Sequence, residues 1–433
     1  MATALIKLRS ALQNRPFVRN VAMVASGAAA SQALSMAFAP LVTRLYGPEA
    51  FGVLGMFTAC VGLLAVLASW AWPAAVVVPR DEADALALAR LALLTGGAMS
   101  LLLGLLMAVF GPLVLPLLGM KVLLPYMAWI APAVLVMVAA RVLSYWLIRR
   151  EAFALSARWS VGMTLIVNLV KVGVGAVMPS ATVLVATHTG GTAAGAWLTW
   201  RAWRRAGPYA AVVPARLGDV ARRFSDFPLW RAPQDFINAL SQSLPLLVLG
   251  AWAGASSAGH YAIALAVLGV PAVLLGHSVM AVLTPRVNTV LGEQGDVRTL
   301  IVKATRSLAL IGCAPFALVM LLGPSLFAWV FGEAWRVAGE YARWLSPWLY
   351  LQLLNQPAVA AIPGLRLQRG LLVYELMSSG SKVLALVLAL MVWQDDVLAV
   401  ALFSVSGTLA YVALIAWVIW HAGRPRPPED MRR

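Results

Sequence analysis

Twelve apolar runs, each about as long as a bilayer is thick, alternate along this chain with loops too short to fold by themselves. They lie near 20–43, 50–78, 86–110, 122–147, 157–178, 181–200, 228–252, 258–284, 300–323, 342–364, 371–393 and 397–420. A hydrocarbon layer of about 30 Å takes about 20 helical residues. Inside it, only helices and closed barrels satisfy every backbone amide. The pattern therefore predicts an all-α polytopic membrane protein of about twelve transmembrane helices. Composition agrees, because a chain that is 61% hydrophobic and 12% charged has too little polar surface for a soluble domain of 433 residues. The sixth and tenth runs are the least apolar.

The formal charge of +16 raises the question of nucleic acid. Its distribution answers it. Lys and Arg gather in 1–19, 80–90, 149–158, 201–223, 286–306, 366–369 and 424–433, alternate connections of the span pattern, while the other loops carry only Arg44, Lys121, Arg336 and Arg343. That is lipid topology, with both termini cytoplasmic, and no nucleic-acid partner is expected. Within 1–19, Leu5, Leu8 and Leu12 share one helical face, as in a short interfacial helix. The apolar run that follows is too long for a cleaved signal peptide.

No loop is large enough for a catalytic domain; the longest, 201–227, is cytoplasmic and basic. Cys60 and Cys313 both lie in apolar runs, without a CxxC or a His-rich partner, so neither metal nor disulfide is expected. There is no GxxxxGK[ST] phosphate loop and no GxGxxG opening a helix. No cofactor and no enzymatic activity are expected.

The chain also repeats itself. "TRLYGPEAFG" (43–52) has a worn echo in "GAWAGASSAGHYA" (250–262), which aligns Gly47 with Gly254 and Gly52 with Gly259. Pro79-Arg80 recurs as Pro285-Arg286, Gly111-Pro112 as Gly323-Pro324, and "WIAP" (129–132) as "WLSP" (344–347). Halves of six spans each share one orientation, so this is a parallel repeat about an axis along the membrane normal. The expected organisation is an N-terminal segment 1–19, a six-helix lobe 20–200, a linker 201–227, a second lobe 228–421 and a tail 422–433, with a central cavity between the lobes. The quoted stretch becomes the tight corner joining the first two helices of a half.

"TRLYGPEAFGVLGMF", "SDFPLWRAP…LSQSLPLLVLGAWAGASSAGHYAIA", "LGVPAVLLGHSVMAVLTPRV" and "FGEAWRVAGEYARWLSP" resemble the polysaccharide-biosynthesis or O-antigen flippases of the multidrug/oligosaccharidyl-lipid/polysaccharide exporter superfamily. The resemblance runs from about residue 20 to 420. It implies a two-lobed flippase that carries an undecaprenyl-pyrophosphate-linked oligosaccharide to the outer leaflet of a bacterial inner membrane by alternating access. The partners it implies are that lipid-linked substrate, membrane lipids and a polysaccharide polymerase or chain-length regulator. The second corner departs from the pattern, with Ala and Ser in place of aromatic or acidic residues.

Such a cargo needs a shielded cationic path, and ionisable residues inside spans are the candidates. Arg141 lies in the fourth run with Tyr145 one turn on. Lys171 lies in the fifth, a turn from Asn168, and Lys382 in the eleventh, two turns from Glu375. These three cations are expected to line the cavity and neutralise pyrophosphate, Arg through its bidentate fork and Lys as a point charge. The alternative is that Glu375–Lys382 and Arg231–Asp235 are internal ion pairs and that Arg141 snorkels inward. Arg44, at the corner, is expected to anchor or gate. His188 and His277 are intraspan histidines, more often packing residues than proton carriers. Gln32, Asn238, Gln242, Gln352, Asn355 and Gln356 either bind sugar or glue helices. Among the 17 tryptophans, Trp70, Trp72, Trp129, Trp252, Trp329, Trp335, Trp344, Trp348 and Trp393 are read as an outer interfacial belt.

A multidrug or organic-cation antiporter of the same superfamily is the second reading, and acidic rather than basic mid-span charges would favour it. A polytopic glycan-assembly enzyme is the third, and it would need an outer loop or a paired His/Asp/Arg site.

Overall fold

The computed structural model describes residues 16–205, 215–293, 295–365 and 367–423. The interfacial helix expected in 1–19 lies almost wholly outside the described residues. So do part of the linker (206–214) and the tail from 424.

Among the described residues, twelve long helices follow the twelve apolar runs. We label them α1 (Pro16–Leu45), α2 (Pro48–Ser69), α3 (Glu82–Leu117), α4 (Met127–Arg149), α5 (Phe153–Gly175) and α6 (Ala181–Arg205). The second set is α7 (Ala232–Trp252), α8 (Ala255–Gly292), α9 (Val297–Phe331), α10 (Arg336–Leu354, continuing as Gln356–Leu365), α11 (Gln368–Val392) and α12 (Asp396–Ala422). Among the described residues, seven helices are long and apolar enough to cross a membrane by length and composition alone. The polar content of α6, with its Thr, His and Gly, and the break of α10 at Asn355 fit the weak apolarity of the sixth and tenth runs.

Local chemistry sets the ends. Asp81, Asp296 and Asp395 cap α3, α9 and α12, each accepting from a backbone N–H two or three residues on. Pro48 occupies the first turn of α2, where a missing N–H costs nothing. The second run does not stay one helix to Pro79. It breaks at Trp70 and Ala71, both left-handed (φ 49° and 58°), and resumes as a short turn, Trp72–Ala75. Trp70 and Trp72 therefore lie at the end of α2 away from Gly47.

The described residues form two compact units, Met1–Gly259 and His260–Arg433. In the first, α1 lies along α5, and α2 is enclosed by α3, α4, α6 and α7. Its core runs through Met56, Phe57, Leu88, Ile130 and Val134. Arg149, at the end of α4, donates to the Pro79 and Val76 carbonyls (2.5 and 3.3 Å) and closes the turn after α2. A linker helix, Leu217–Arg223, docks on the first turn of α3 through an Arg223–Asp84 ion pair. In the second unit, α9 packs along α10, and α12 lies between α10 and α11.

The two copies of the repeated corner meet inside the first unit. A methyl group placed on Gly52 would overlap the Ala255 carbonyl, its carbon 2.5 Å from the carbonyl carbon and 3.0 Å from Gly259 N. One placed on Gly259 would overlap the Pro48 carbonyl and stand 2.9 Å from Gly52 N. The recurrent glycine is thus a close crossing of α2 with the first turn of α8. The corner glycines themselves differ: Gly254 needs φ +95°, whereas Gly47 is extended at φ −70°.

Candidate functional site

In the first unit the corner serves as an anchor. Tyr46 is 1% exposed, and its hydroxyl donates to the Lys171 carbonyl at 2.9 Å. It packs against Gly175, where a methyl group would come within 2.6 Å of the phenol ring. Arg44 is exposed and sits in the last turn of α1, where a cation complements the helix dipole.

Lys171 itself is half-buried, four residues from the end of α5 and so about 6 Å from it. Asn168, buried one turn before, spends its amide on the Thr164 carbonyl (2.8 Å). Among the described residues no carboxylate lies within 4.0 Å of Lys171. His188 of α6 is near enough to feel its charge.

Arg141 is half-buried on α4, fourteen residues and about 21 Å from the helix start. Tyr145 and Asp235 of α7 both act on it electrostatically. Asp235 also accepts from Arg231 Nε at 3.0 Å, in a pair whose side chains are 52% and 37% exposed for Arg and Asp. The expected local pair therefore forms, and its carboxylate is shared in field with Arg141.

In the second unit Lys382 is half-buried at mid-helix. Its Nζ lies 5.5 Å from the Trp348 ring and 5.8 Å from Phe403, and the two rings meet edge-on at 5.1 Å. Gly407 makes room for this group, since a methyl there would stand 3.1 Å from Lys382 Cδ and within 2.6 Å of Trp348 Nε1. Glu375 is exposed and acts on Lys382 only through space, with no direct ion pair within 4.0 Å. Trp348 stands twelve residues into α10, about 18 Å from its start, so it is a cation-holding ring and not part of an interfacial belt.

Of the polar candidates, Gln242 donates to Asn238 Oδ1 at 3.0 Å along α7, while Asn355 is 4% exposed with Oδ1 unpartnered. The side chain of His277 lies outside the described residues. Sequence reading missed His260, which is buried with Nε2 3.2 Å from the Ala334 carbonyl and edge-on to Trp335 and Tyr341. Its proximity to the second corner was the available signal. Among the described residues no cluster of His, Cys, Asp and Glu could hold a metal ion.

No curated protein matched the chain in sequence. Solved structures did match in fold. An inward-facing multidrug resistance MATE family transporter of the MOP superfamily aligns with a TM-score of 0.71 at 15% identity, over 90% of this chain and 94% of that one. The lipid II flippase MurJ, in an inward closed conformation, aligns at 0.68 and 11% identity, over 91% and 87%. A MOP superfamily transporter from Pyrococcus furiosus aligns at 0.58 and 15%, over 94% and 96%. At such identities the likeness establishes the fold, a polytopic all-α transporter fold. A family model described as polysaccharide biosynthesis protein matches residues 41–340, well over half of the chain. With the MOP transporter fold beneath it, this multi-pass membrane chain belongs to the polysaccharide biosynthesis protein family.

Proposed function

We propose that the protein flips an undecaprenyl-pyrophosphate-linked oligosaccharide from the cytoplasmic to the outer leaflet of a bacterial inner membrane, for O-antigen, capsule or exopolysaccharide synthesis. The observation that carries this is the sign of the intraspan charge. Among the described residues, Lys171 and Lys382 are half-buried cations without a carboxylate within 4.0 Å, and Arg141 has no direct ion pair and shares the field of Asp235 with Arg231. Holding such charges out of water is costly, and an anionic cargo offsets the cost. Lys382 rests on aromatic faces worth about 0.5–2 kcal/mol. A charge-assisted hydrogen bond to phosphate, about 1.5–3 kcal/mol, is enough to draw it off.

In this reading Arg141, Lys171 and Lys382 neutralise the pyrophosphate, Arg231–Asp235 and Glu375 tune that field, and Arg44 anchors the corner. The repeat defines lobes 20–200 and 228–421 about the linker 201–227. Both termini are cytoplasmic, transport is by alternating access without chemical catalysis, and the exported glycan passes to a polymerase or chain-length regulator. Family membership supports the glycan pathway. The fold shared with a multidrug transporter keeps one other reading alive, an organic-cation antiporter. That reading needs an acidic site, whereas Asp235 is occupied by Arg231 and Glu375 is exposed.

The test is a leaflet-accessibility assay of undecaprenyl-pyrophosphate glycan in deletion, wild-type and charge-reversed cells (Arg141→Glu, Lys171→Glu, Lys382→Glu). Cytoplasmic-side accumulation in the deletion, relieved by wild type and not by the reversals, is expected. Relief by every reversal would remove these residues from the site. Absence of accumulation in a deletion lacking any redundant flippase would transfer the assignment to the antiporter.

A further inference from the structure

Helix α6 ends in "WLTWRAWRR" (197–205). Trp197, Trp200, Arg201 and Arg204 fall at i, i+3, i+4 and i+7, so they share one face of the helix. That face is open. Trp197 and Trp200 are 50% and 40% exposed, and both arginines are exposed too. Each guanidinium lies over the indole one turn before it: Arg201 Cζ is 5.2 Å from the centre of the Trp197 ring, and Arg204 Cζ is 5.0 Å from that of Trp200. The two indoles stand about 24–29 Å from the start of α6, and the two arginines about 30–35 Å. A hydrocarbon layer is about 30 Å thick, so the tryptophans mark its edge and the guanidinium groups reach the level of lipid phosphates.

What distinguishes these two cations is that their donors are unspent. Other arginines of the first unit are occupied: Arg149 donates to the Val76 and Pro79 carbonyls, Arg150 meets Glu82 at 3.1 Å, and Arg223 pairs with Asp84. Among the described residues, Arg201 and Arg204 have neither an ion pair nor a hydrogen bond. Stacking engages the flat face of a guanidinium and leaves its in-plane N–H groups free. Those N–H groups are the ones that grip phosphate oxygens bidentately. The rings thus hold two forks ready, on helix positions whose Cβ atoms stand about 5–6 Å apart. Trp203, on the neighbouring face, meets Trp146 of α4 edge-on at 5.6 Å. Trp146 is five residues, about 8 Å of helix, from Arg141.

We propose that Trp197–Arg201 and Trp200–Arg204 form a loading ledge at the membrane surface: it takes the diphosphate of the lipid-linked cargo, one phosphoryl group to each guanidinium, before the cargo reaches Arg141. Charge selects the diphosphate. An ordinary anionic phospholipid brings a single phosphodiester and satisfies one fork, whereas a diphosphate brings two phosphoryl groups to two forks. The ledge rests on the flippase reading above and adds a site outside the three cations assigned there.

Ala194 is exposed on the same face, one turn before Trp197. Ala194→p-benzoylphenylalanine in the full-length protein therefore reads the ledge separately from the span cations. The probe is radiolabelled undecaprenyl pyrophosphate in phosphatidylcholine nanodiscs, with total binding measured alongside. Photo-crosslinking at 194 is expected, and Arg201→Gln with Arg204→Gln should lower it about tenfold, as the loss of charge-assisted hydrogen bonds implies. Arg201→Lys with Arg204→Lys keeps both charges, removes the forks and should lower it about threefold. Equimolar phosphatidylglycerol should leave it unchanged. Crosslinking that survives either double variant, or that phosphatidylglycerol halves, would overturn the ledge, and retained total binding would leave the flippase standing. Wild-type protein that binds no undecaprenyl pyrophosphate would overturn the flippase reading, and the ledge with it.

Discussion

Replacing Gly52 by Ala tests the corner at its tightest point. The added methyl carbon would stand 2.5 Å from the Ala255 carbonyl carbon and overlap its oxygen. Carbon contacts settle at about 3.5–4.0 Å, so α2 and the first turn of α8 must part by about 1 Å or more. Both sides of the contact are helix backbone, so no side chain can turn aside. Overpacking of this sort costs about 1–3 kcal/mol, and a backbone obstruction belongs at the upper end. For a large chain that is a drop of about 5 °C in Tm, read by thermal-shift fluorescence in detergent at a fixed heating rate. Gly259→Ala, facing the Pro48 carbonyl, should match it. Gly47→Ala and Gly62→Ala meet nothing within 4 Å and should move Tm by about 1 °C or less. Gly254→Ala has space but sits at φ +95°, so strain alone should cost about 1–3 kcal/mol. Equal Tm for the Gly52 and Gly47 variants would refute the crossing.

Tyr46→Phe removes the hydroxyl that reaches the Lys171 carbonyl and should cost about 1 kcal/mol of stability in the same assay, with no change in net charge. Asp84→Ala leaves Arg223 without its partner and should release the linker helix, seen as faster tryptic cleavage within 215–223 at unchanged Tm of the remaining fragment. Asp296 outside the membrane has its carboxyl held below the usual value of about 3.8, chiefly by the Thr299 hydroxyl and then by the Thr299 N–H. A lowered carboxyl stabilises the α9 cap at neutral pH and loses that effect as pH falls below the unfolded value towards the folded one. Hydrogen exchange at the first turn of α9 should therefore quicken only in acid, and Asp296→Ala should reproduce the effect at pH 7.

Much of the fold was legible because hydrophobicity is summed over whole helices. Runs of about 20 residues survive a local error of several residues, and α3, with 36 residues, could hardly be missed. Breaks were harder. Nothing in "SWAWPAAVV" distinguishes a helix from the left-handed pair Trp70–Ala71, because the rupture is set by what the backbone packs against. The three intraspan cations were visible one by one through the cost of burying charge. Their surroundings were not, since Trp348 and Phe403 come to Lys382 from two other helices, 34 and 21 residues away. A tryptophan near a predicted helix end looks interfacial until its depth is known.

The repeated corner shows where pattern reading succeeds for a reason other than the one it assumes. The sequence suggested two independent turns, each with a glycine to relieve it, and in the first an arginine that anchors or gates. In the structure the turn glycines differ in conformation, and Arg44 is exposed at a helix end. The shared element is the later glycine of each copy, Gly52 and Gly259, because each faces the backbone beside the other. There, a residue has to fit against its own counterpart, and glycine is the side chain that leaves room for two helices at backbone distance. The chemistry lies one step further along, where Tyr46 ties this rigid corner to the Lys171 backbone and so fixes the height of a cation in the first unit.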